Sequence, residues 1–206
     1  MRYAILQCCF ILSLYAIPAY PQGMMREDTQ PPPWEQELFY YIYRWESPLA
    51  STYFRWIDAT AYPVFFSAVP ASFGVEWARG VDNPWRLSLA VGAAEALGYV
   101  SSTGLKYLFK RLRPYEVLPD VEPRVARKRT PYAFPSGHTT IAFAIAVSIA
   151  LYEPRWYVVT PAVIWASSVG ISRVWLGVHY PSDVLAGALL GTLCGWIAHQ
   201  VVRRYL

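Results

Sequence analysis

Long apolar stretches separated by short polar segments occupy most of the chain after residue 58. Each approaches the roughly 20 residues that a helix needs to cross a bilayer. A soluble all-helical protein with buried helices is the weaker alternative, because the pattern leaves too little polar amphipathic surface. We therefore predict an all-α protein, an integral-membrane helical bundle of five or six transmembrane spans. The runs are Ala59 to Val75, Leu87 to Leu105, Thr139 to Tyr152, Tyr157 to Ile171 and Val184 to Val202.

The first twenty residues carry a further apolar segment, from Ala4 to Ile17, behind Arg2. This arrangement is typical of a cleavable signal peptide and of a first transmembrane span, and both interpretations stay open for residues 1–20. Either one places the chain that follows outside the cytoplasm. The three cysteines indicate no internal disulfide framework.

Residues 21–57 begin as a polar linker that ends in Pro31-Pro32-Pro33, after which aromatic and charged residues alternate from Trp34 to Ile57. The pattern predicts an interfacial aromatic segment, helical, lying along the membrane surface and broken near Pro48. Anchoring to membrane lipids is favoured over substrate binding as its role. Residues 58–206 then form the membrane-embedded core.

Charge is unevenly distributed over a chain that is 55% hydrophobic and only 16% charged. Between Lys106 and Thr130 there are eight basic and three acidic residues, although the whole chain has a net charge of only +4. Alternation of the spans puts this basic loop outside, against the usual orientation rule, so an anionic ligand or anionic headgroups are expected to require it. An inverted topology with the loop inside the cell is the alternative. Nucleic acid is not an expected partner for a chain so dense in apolar spans.

The stretch from Ser172 to Asp183 separates two apolar runs and carries the chemistry of a catalytic loop. Arg173 offers a planar cationic fork for phosphoryl oxygens, and His179 a nitrogen that can attack phosphorus or move a proton. Asp183 follows Pro181, which favours the first position of a helix, and is placed to accept the Nδ1 proton of His179. Taken alone, the stretch is equally compatible with a polar turn between two membrane helices.

Two more stretches carry groups that suit an anion. Lys106 and Arg113 are two helical turns apart, so we expect both on one face at the end of a span, where snorkelling is the more common role for two cations taken alone. Ser136 is placed to cap the next helix, and Gly137 lets backbone amides approach a ligand. His138 stands where it can protonate a leaving oxygen, although a capping or interfacial role is the more common one for a lone histidine at a helix start.

In this order and spacing, the three stretches resemble the signature of the type 2 phosphatidic acid phosphatase family, within the superfamily of bacterial acid phosphatases and vanadium haloperoxidases. The stretches are Lys106, six residues, Arg113-Pro114; Pro135-Ser136-Gly137-His138; and Ser172-Arg173, five residues, His179, three residues, Asp183. The resemblance covers roughly Leu87 to Leu206 and shows no departure at the diagnostic positions.

The resemblance implies a role for each of these residues. His179 is expected to be the nucleophile that forms a phosphohistidine, with Asp183 orienting it and His138 as general acid and later base. The phosphate oxygens are expected to bind Lys106, Arg113, Arg173, Ser136 and Gly137. The reaction then needs no metal and no cofactor.

Topology and chemistry agree on one location. Lys106 and Arg113 end an outward span, His138 begins an inward one, Arg173 ends the next outward one and Asp183 begins the last. All three stretches therefore meet at the outer end of the bundle. With the family resemblance, this predicts a multi-pass protein of the bacterial inner (cytoplasmic) membrane with its active site facing the periplasm or the cell exterior. Gly187, Gly191 and Gly195 recur every four residues in the last span and predict close helix packing inside the bundle.

The predicted function is a lipid phosphatase that removes a terminal phosphate at the outer face. Candidate substrates within the family are undecaprenyl diphosphate, lipid A phosphates, phosphatidylglycerol phosphate and phosphatidic acid. A lipid phosphotransferase with the same phosphohistidine is the main alternative. A vanadate-dependent haloperoxidase is disfavoured by the apolar runs, and a non-enzymatic membrane scaffold is the third rival. The oligomeric state stays open.

Overall fold

The structure is a computed structural model that describes residues 30–126 and 130–205. The predicted signal peptide or first span at residues 1–20, the start of the polar linker, and three residues of the basic loop lie outside the described residues. Within them the chain forms seven helices and no strand, which confirms the all-α prediction. The helices are α1 (Pro33–Tyr43), α2 (Pro48–Ala78), α3 (Trp85–Phe109), α4 (Pro114–Val117), α5 (Gly137–Tyr152), α6 (Trp156–Trp175) and α7 (Pro181–Tyr205).

Prolines and small polar residues set several helix boundaries where the sequence predicts them. The aromatic segment is broken before Pro48, and the Ser47 side chain caps α2 by accepting a hydrogen bond from the Ala50 amide at 3.0 Å. Glu153-Pro154-Arg155 forms the tight turn between α5 and α6, and Pro181 begins α7. The connections between the later helices are therefore short, as antiparallel neighbours in a bundle require.

Helix α5 is the centre of the bundle and contacts α2, α3, α6 and α7, while α7 also packs against α3. The glycine stripe of α7 faces α5, which confirms its predicted place inside the bundle. A Cβ atom at Gly191 would lie only 2.1 Å from the Thr140 carbonyl oxygen, so no larger residue fits without separating the helices. This close approach fixes the first half of α7 against the first turns of α5.

Five of the described helices are longer than 15 residues, but they differ in apolar character. Among residues 30–126 and 130–205, α6 and α7 are long and apolar enough to cross a membrane by length and composition. Helix α5 is apolar but shorter, with 16 residues. The number of spans, five or six, stays a prediction.

An aromatic cluster closes the end of the bundle where α6 ends and α7 begins. Phe39 of α1 packs against Tyr180 with ring centroids 5.7 Å apart, and Phe54 of α2 packs against Trp175 at 5.5 Å. All four side chains are buried. The other side of the aromatic segment, Trp34 to Ile57, stays exposed and is rich in aromatic residues, as expected for a segment at the membrane surface. Its exposed residues include Trp34, Leu38, Tyr41 and Trp45.

Candidate active site

The three sequence stretches meet at this closed end, around the loop between α6 and α7. The charges of Arg113, Lys106, His138 and Arg173 all act on His179, so one imidazole lies within electrostatic range of every predicted cationic group. The ends of α3 and α6 and the starts of α4, α5 and α7 converge to produce this arrangement. The site is therefore assembled by the fold from segments far apart in the chain.

His179 and Arg113 form the central contact. Nη1 of Arg113 lies 3.1 Å from Nε2 of His179, and both side chains are buried. A guanidinium can only donate hydrogen bonds, so Nε2 accepts and the proton of the neutral ring is on Nδ1. Nε2 thus presents its lone pair toward the cationic groups that are expected to surround a phosphate.

Burial together with the positive charges of Arg113 and Lys106 holds the pKa of His179 well below its ordinary value. The imidazole is consequently neutral at physiological pH. A neutral imidazole is the form that can act as a nucleophile.

Asp183 lies beside His179 as predicted, but the predicted hydrogen bond is not formed. Oδ2 of Asp183 is 3.5 Å from Nδ1 of His179, and this nitrogen has no hydrogen-bond partner among the described residues. Oδ2 accepts instead from the Tyr180 amide at 2.8 Å, and Oδ1 accepts from Arg111 at 2.8 Å. Catalytic hydrogen bonds are often long without substrate. The Asp183 carboxylate is close enough to accept a hydrogen bond from Nδ1–H once a ligand is bound at Nε2.

Arg113 is not on the same helix face as Lys106, so that prediction is wrong. Helix α3 ends at Phe109, Lys110 adopts a left-handed conformation at φ 51°, and Arg113 follows in extended backbone at the start of α4. The turn is stabilised by the Arg113 amide, which donates to the Pro131 carbonyl at 3.0 Å. The seven-residue spacing therefore joins a helix end to a loop, and the two cations reach the site from different directions.

Backbone carbonyls hold the Lys106 ammonium group in place. Nζ donates to the carbonyl oxygens of Ala133, at 3.1 Å, and Pro135. These carbonyls belong to the segment that leads into Ser136. Lys106 thus ties the end of α3 to the start of α5.

Ser136 occupies the N-cap position of α5, but its side chain makes no capping bond there. Its hydroxyl accepts from Thr139 at 2.9 Å, and its amide donates to the Asp183 carbonyl at 2.9 Å, which joins the second stretch to the third. At Gly137 an added Cβ would meet, among the described residues, only the Ser102 hydroxyl at 3.6 Å. Protein packing therefore leaves this backbone open to the approach of a ligand.

Arg173 is buried and held from one side. Its Nη2 donates to Oδ1 of Asp58 at 2.5 Å, and Nε and Nη2 donate to the Ser172 hydroxyl at 3.2 and 2.9 Å. Nη1 is buried and has no hydrogen-bond partner within residues 30–126 and 130–205. A buried unpaired guanidinium donor is costly, and an anion in the site would satisfy it.

His138 is the second residue of α5, where its ring makes edge contacts with the rings of Tyr62 and Phe65 at 5.1 and 5.8 Å. These aromatic neighbours from α2 restrict the ring. The imidazole of His138 is half-buried and lies within electrostatic range of His179. A residue that protonates the leaving group has to lie near the nucleophile in this way.

Three charged residues of this region were missed by the sequence analysis: Glu35, Asp58 and Arg111. Glu35 and Asp58 precede the signature by about 50 residues or more, and nothing in their local pattern marks them. Arg111 stands two residues before Arg113 and was counted only as part of the basic loop. No group of three or more His, Cys, Asp or Glu side chains within the described ranges is placed to hold a metal ion.

The chain is similar to several known proteins. A family model described as the PAP2 superfamily matches residues 85–205. The undecaprenyl-diphosphatase of Sulfolobus acidocaldarius is 39% identical over 111 residues, 52% of this chain and 50% of that protein. The lipid A 4′-phosphatase of Bacteroides thetaiotaomicron is 32% identical over 134 residues, 58% of this chain and 59% of that protein.

The crystal structure of Aquifex aeolicus LpxE superimposes with a TM-score of 0.70 at 28% identity, covering 80% of this chain and 94% of that one. The match to the two relatives thus spans about half to three fifths of their length, whereas the structural match spans nearly all of LpxE. The family match contains all the predicted site residues and excludes α1 and α2.

Proposed function

Since the chain belongs to the PAP2 superfamily, we propose that it is a membrane lipid phosphatase that works through a phosphohistidine on His179. The observation that carries the proposal is the contact between Arg113 and Nε2 of His179, 3.1 Å long, in a pocket that Lys106 and Arg173 make cationic. The neutral ring has its lone pair where a bound phosphoryl group would be held. Relatives that act on lipid phosphates support the same substrate class.

The reaction starts when Nε2 of His179 attacks phosphorus. The phosphorus–nitrogen bond forms as the bond to the leaving oxygen breaks, and His138 gives that oxygen a proton. The imidazole becomes positively charged when it is phosphorylated. Asp183 stabilises this charge from the Nδ1 side.

In the second step water attacks the phosphohistidine. His138, now neutral, takes the proton of the water, the phosphorus–nitrogen bond breaks, and inorganic phosphate leaves. His179 regains its neutral form. Together, the two steps return every group to its starting protonation state.

The cationic side chains supply the charge stabilisation for both steps. Lys106, Arg113 and Arg173 bind the three equatorial oxygens, with the hydroxyl of Ser136 and the amide of Gly137 as further donors. When phosphate enters, the Nη1 donors of Arg113 and Arg173 turn to its oxygens. The reaction is therefore proposed to need no metal and no cofactor.

The topology of the bundle supports an active site on the outer side of the inner membrane. All of the proposed site residues lie at one end of the bundle. At the opposite end five arginines outnumber three acidic residues, which is a mild positive-inside bias toward the cytoplasm. The arginines of that end are Arg79, Arg86, Arg155, Arg203 and Arg204. The larger positive charge of the basic outer loop runs against this rule and is assigned to an anionic ligand.

The proposed domain organisation has residues 21–57 as the interfacial segment and 58–206 as the phosphatase core, and α2 (Pro48–Ala78) is continuous across this boundary. One arginine of the basic outer loop, Arg124, is engaged by the protein itself. Arg124 is packed between the rings of Tyr43 and Trp175, at 4.4 and 4.3 Å from their centroids, and donates to the carbonyl oxygens of both residues. Its guanidinium therefore supports the fold of the outer end.

The test is phosphate release by detergent-purified protein across a lipid panel, with chelator present. The panel contains undecaprenyl diphosphate, lipid A, phosphatidylglycerol phosphate and phosphatidic acid. We expect release from at least one lipid by the wild type and none above background by His179→Ala. Absence of release by folded wild type would contradict the hydrolase, and product analysis with acceptor lipids would then test the phosphotransferase.

A further inference from the structure

A carboxylate from outside the matched region is buried next to the proposed active site. Glu35 of α1 is only 2% exposed. Its Oε1 accepts from the Ser182 amide at 3.1 Å and from the Ser182 hydroxyl at 2.5 Å, and its Oε2 accepts from Nη2 of Arg111 at 2.7 Å. An ionised group is buried at this depth only when such partners compensate it.

Arg111 connects this carboxylate to Asp183. Its Nη1 donates to Oδ1 of Asp183 at 2.8 Å and to the Ser182 hydroxyl at 2.6 Å. The guanidinium plane also lies over the Tyr180 ring, 4.4 Å from the centroid. Arg111 is thus held by two carboxylates and one ring, and its orientation is fixed.

The network fixes the first turn of α7. The Ser182 amide is one of the donors that a helix leaves unsatisfied at its start, and Glu35 satisfies it from another helix. Asp183 is the next residue, and its Oδ2 lies 3.5 Å from Nδ1 of His179. The direction of the Asp183 carboxylate therefore depends on a contact made by α1.

Charge gives the same network a second consequence. Arg111 on its own would neutralise Asp183, and His179 would then face only the cations Lys106, Arg113 and Arg173. With Glu35 present, two carboxylates flank one guanidinium, so a net negative charge remains on the Nδ1 side of the ring. The positive charge of a phosphorylated imidazole needs this compensation.

We propose that Glu35 is a positioning residue for the His179–Asp183 pair, acting through Arg111 and Ser182. The inference rests on the proposed phosphohistidine function. It extends the functional unit to α1, which the family match does not include. The aromatic segment then completes the active site in addition to contacting lipid.

Glu35→Gln is the sharpest test, because it removes the charge and keeps the shape. Its matched control is Glu37→Gln, which removes the same charge from the exposed side of the same helix. For Glu35→Gln we expect kcat to fall about 10- to 100-fold, the range for a misplaced catalytic group. KM and inhibition by inorganic phosphate should stay within about twofold of wild type, since the phosphate-binding cations are untouched.

Two further variants separate positioning from docking of α1. Phe39→Leu loosens the same buried face without touching the polar network, and should retain most of the wild-type kcat. Glu35→Asp keeps the charge but is one methylene shorter and cannot hold both Ser182 and Arg111, so its kcat should lie between those of wild type and Glu35→Gln. It also serves as the test if Glu35→Gln does not fold.

The outcomes separate the two proposals. If the wild type forms no phosphohistidine and releases no phosphate, the proposed function itself fails. If the wild type is active, the inference is overturned when Glu35→Gln matches Glu37→Gln, when Phe39→Leu loses as much kcat as Glu35→Gln, or when the loss is confined to KM. Should only Glu35→Asp fold, activity no different from Glu37→Gln would likewise overturn it.

Discussion

Nη1 of Arg113 lies 3.1 Å from Nε2 of His179, and this contact determines which nitrogen of the ring carries the proton. The same guanidinium donates to the carbonyl oxygens of Val178, at 2.9 Å, and Thr130, at 3.0 Å. Arg113 therefore holds the loop around His179 as well as facing the proposed phosphate. These two functions lead to the first prediction.

Replacement of Arg113 by lysine should lower kcat/KM by about 100-fold, the cost of losing one preorganised donor to a developing charge. A lysine keeps the charge but cannot donate in three fixed directions from one plane. Steady-state phosphate release measures the effect. Lys110→Arg, at an exposed position of the same loop, is the control and should behave as wild type. Equal activity of R113K and wild type would show that charge alone suffices.

Asp58→Asn should weaken the binding of phosphate. Without the carboxylate that accepts from Nη2 at 2.5 Å, the guanidinium of Arg173 loses the partner that directs Nη1 into the site. We expect KM and the inhibition constant of inorganic phosphate to rise by about 10-fold, the effect of roughly 1.4 kcal/mol. The control is Asp82→Asn, at an exposed position at the far end of the bundle. Unchanged inhibition by phosphate in Asp58→Asn would contradict this role.

The pH dependence follows from the lowered pKa of His179, which burial and nearby cations cause. The nucleophile must be neutral, so the acidic limb of kcat/KM should have its midpoint below the ordinary histidine value of about 6.5. A midpoint at or above that value would contradict a neutral, buried His179.

The same shift predicts how stability changes with pH. As the pH falls below about 6.5, the unfolded chain binds the His179 proton before the folded protein does. This residue's contribution to stability is therefore complete above that pH and is lost as the pH falls toward the lower folded pKa. The pH dependence of thermal unfolding in detergent should become shallower below pH 6.5 in His179→Ala. An unchanged slope would show that His179 is not buried in its neutral form.

The glycine stripe gives a prediction about stability. A Cβ at Gly191 would lie 2.1 Å from the Thr140 carbonyl oxygen, so Gly191→Ala should destabilise the bundle by about 1–3 kcal/mol through overpacking. At Gly104 of α3 an added Cβ would meet no described atom within 4 Å beyond the adjacent backbone of its own helix, so Gly104→Ala should be neutral or stabilising by about 0.5–1 kcal/mol. Thermal unfolding of both variants measures the difference. A destabilised Gly104→Ala together with an unaffected Gly191→Ala would contradict the proposed packing of α7 against α5.

The sequence predicts the helical class and the membership of the site, because both depend on patterns that are local. Apolar runs and prolines locate the long helices, and the alternating direction of these helices brings His138, His179 and Asp183 to one end of the bundle. The position of Arg113 is not predictable from spacing, since a left-handed Lys110 ends α3 one turn early. No local sequence pattern indicates a role for Glu35 or Asp58, because their partners depend on how α1 and α2 pack against the rest of the bundle.

The central claim is a phosphoryl group covalently bound to His179. The most direct measurement is a rapid alkaline quench of wild type and His179→Ala during turnover of the preferred lipid, followed by peptide mass spectrometry. We expect phosphate on His179 in the wild type and no phosphopeptide in the variant. Phosphate release by wild type without an adduct, or with the adduct on another residue, would contradict the account.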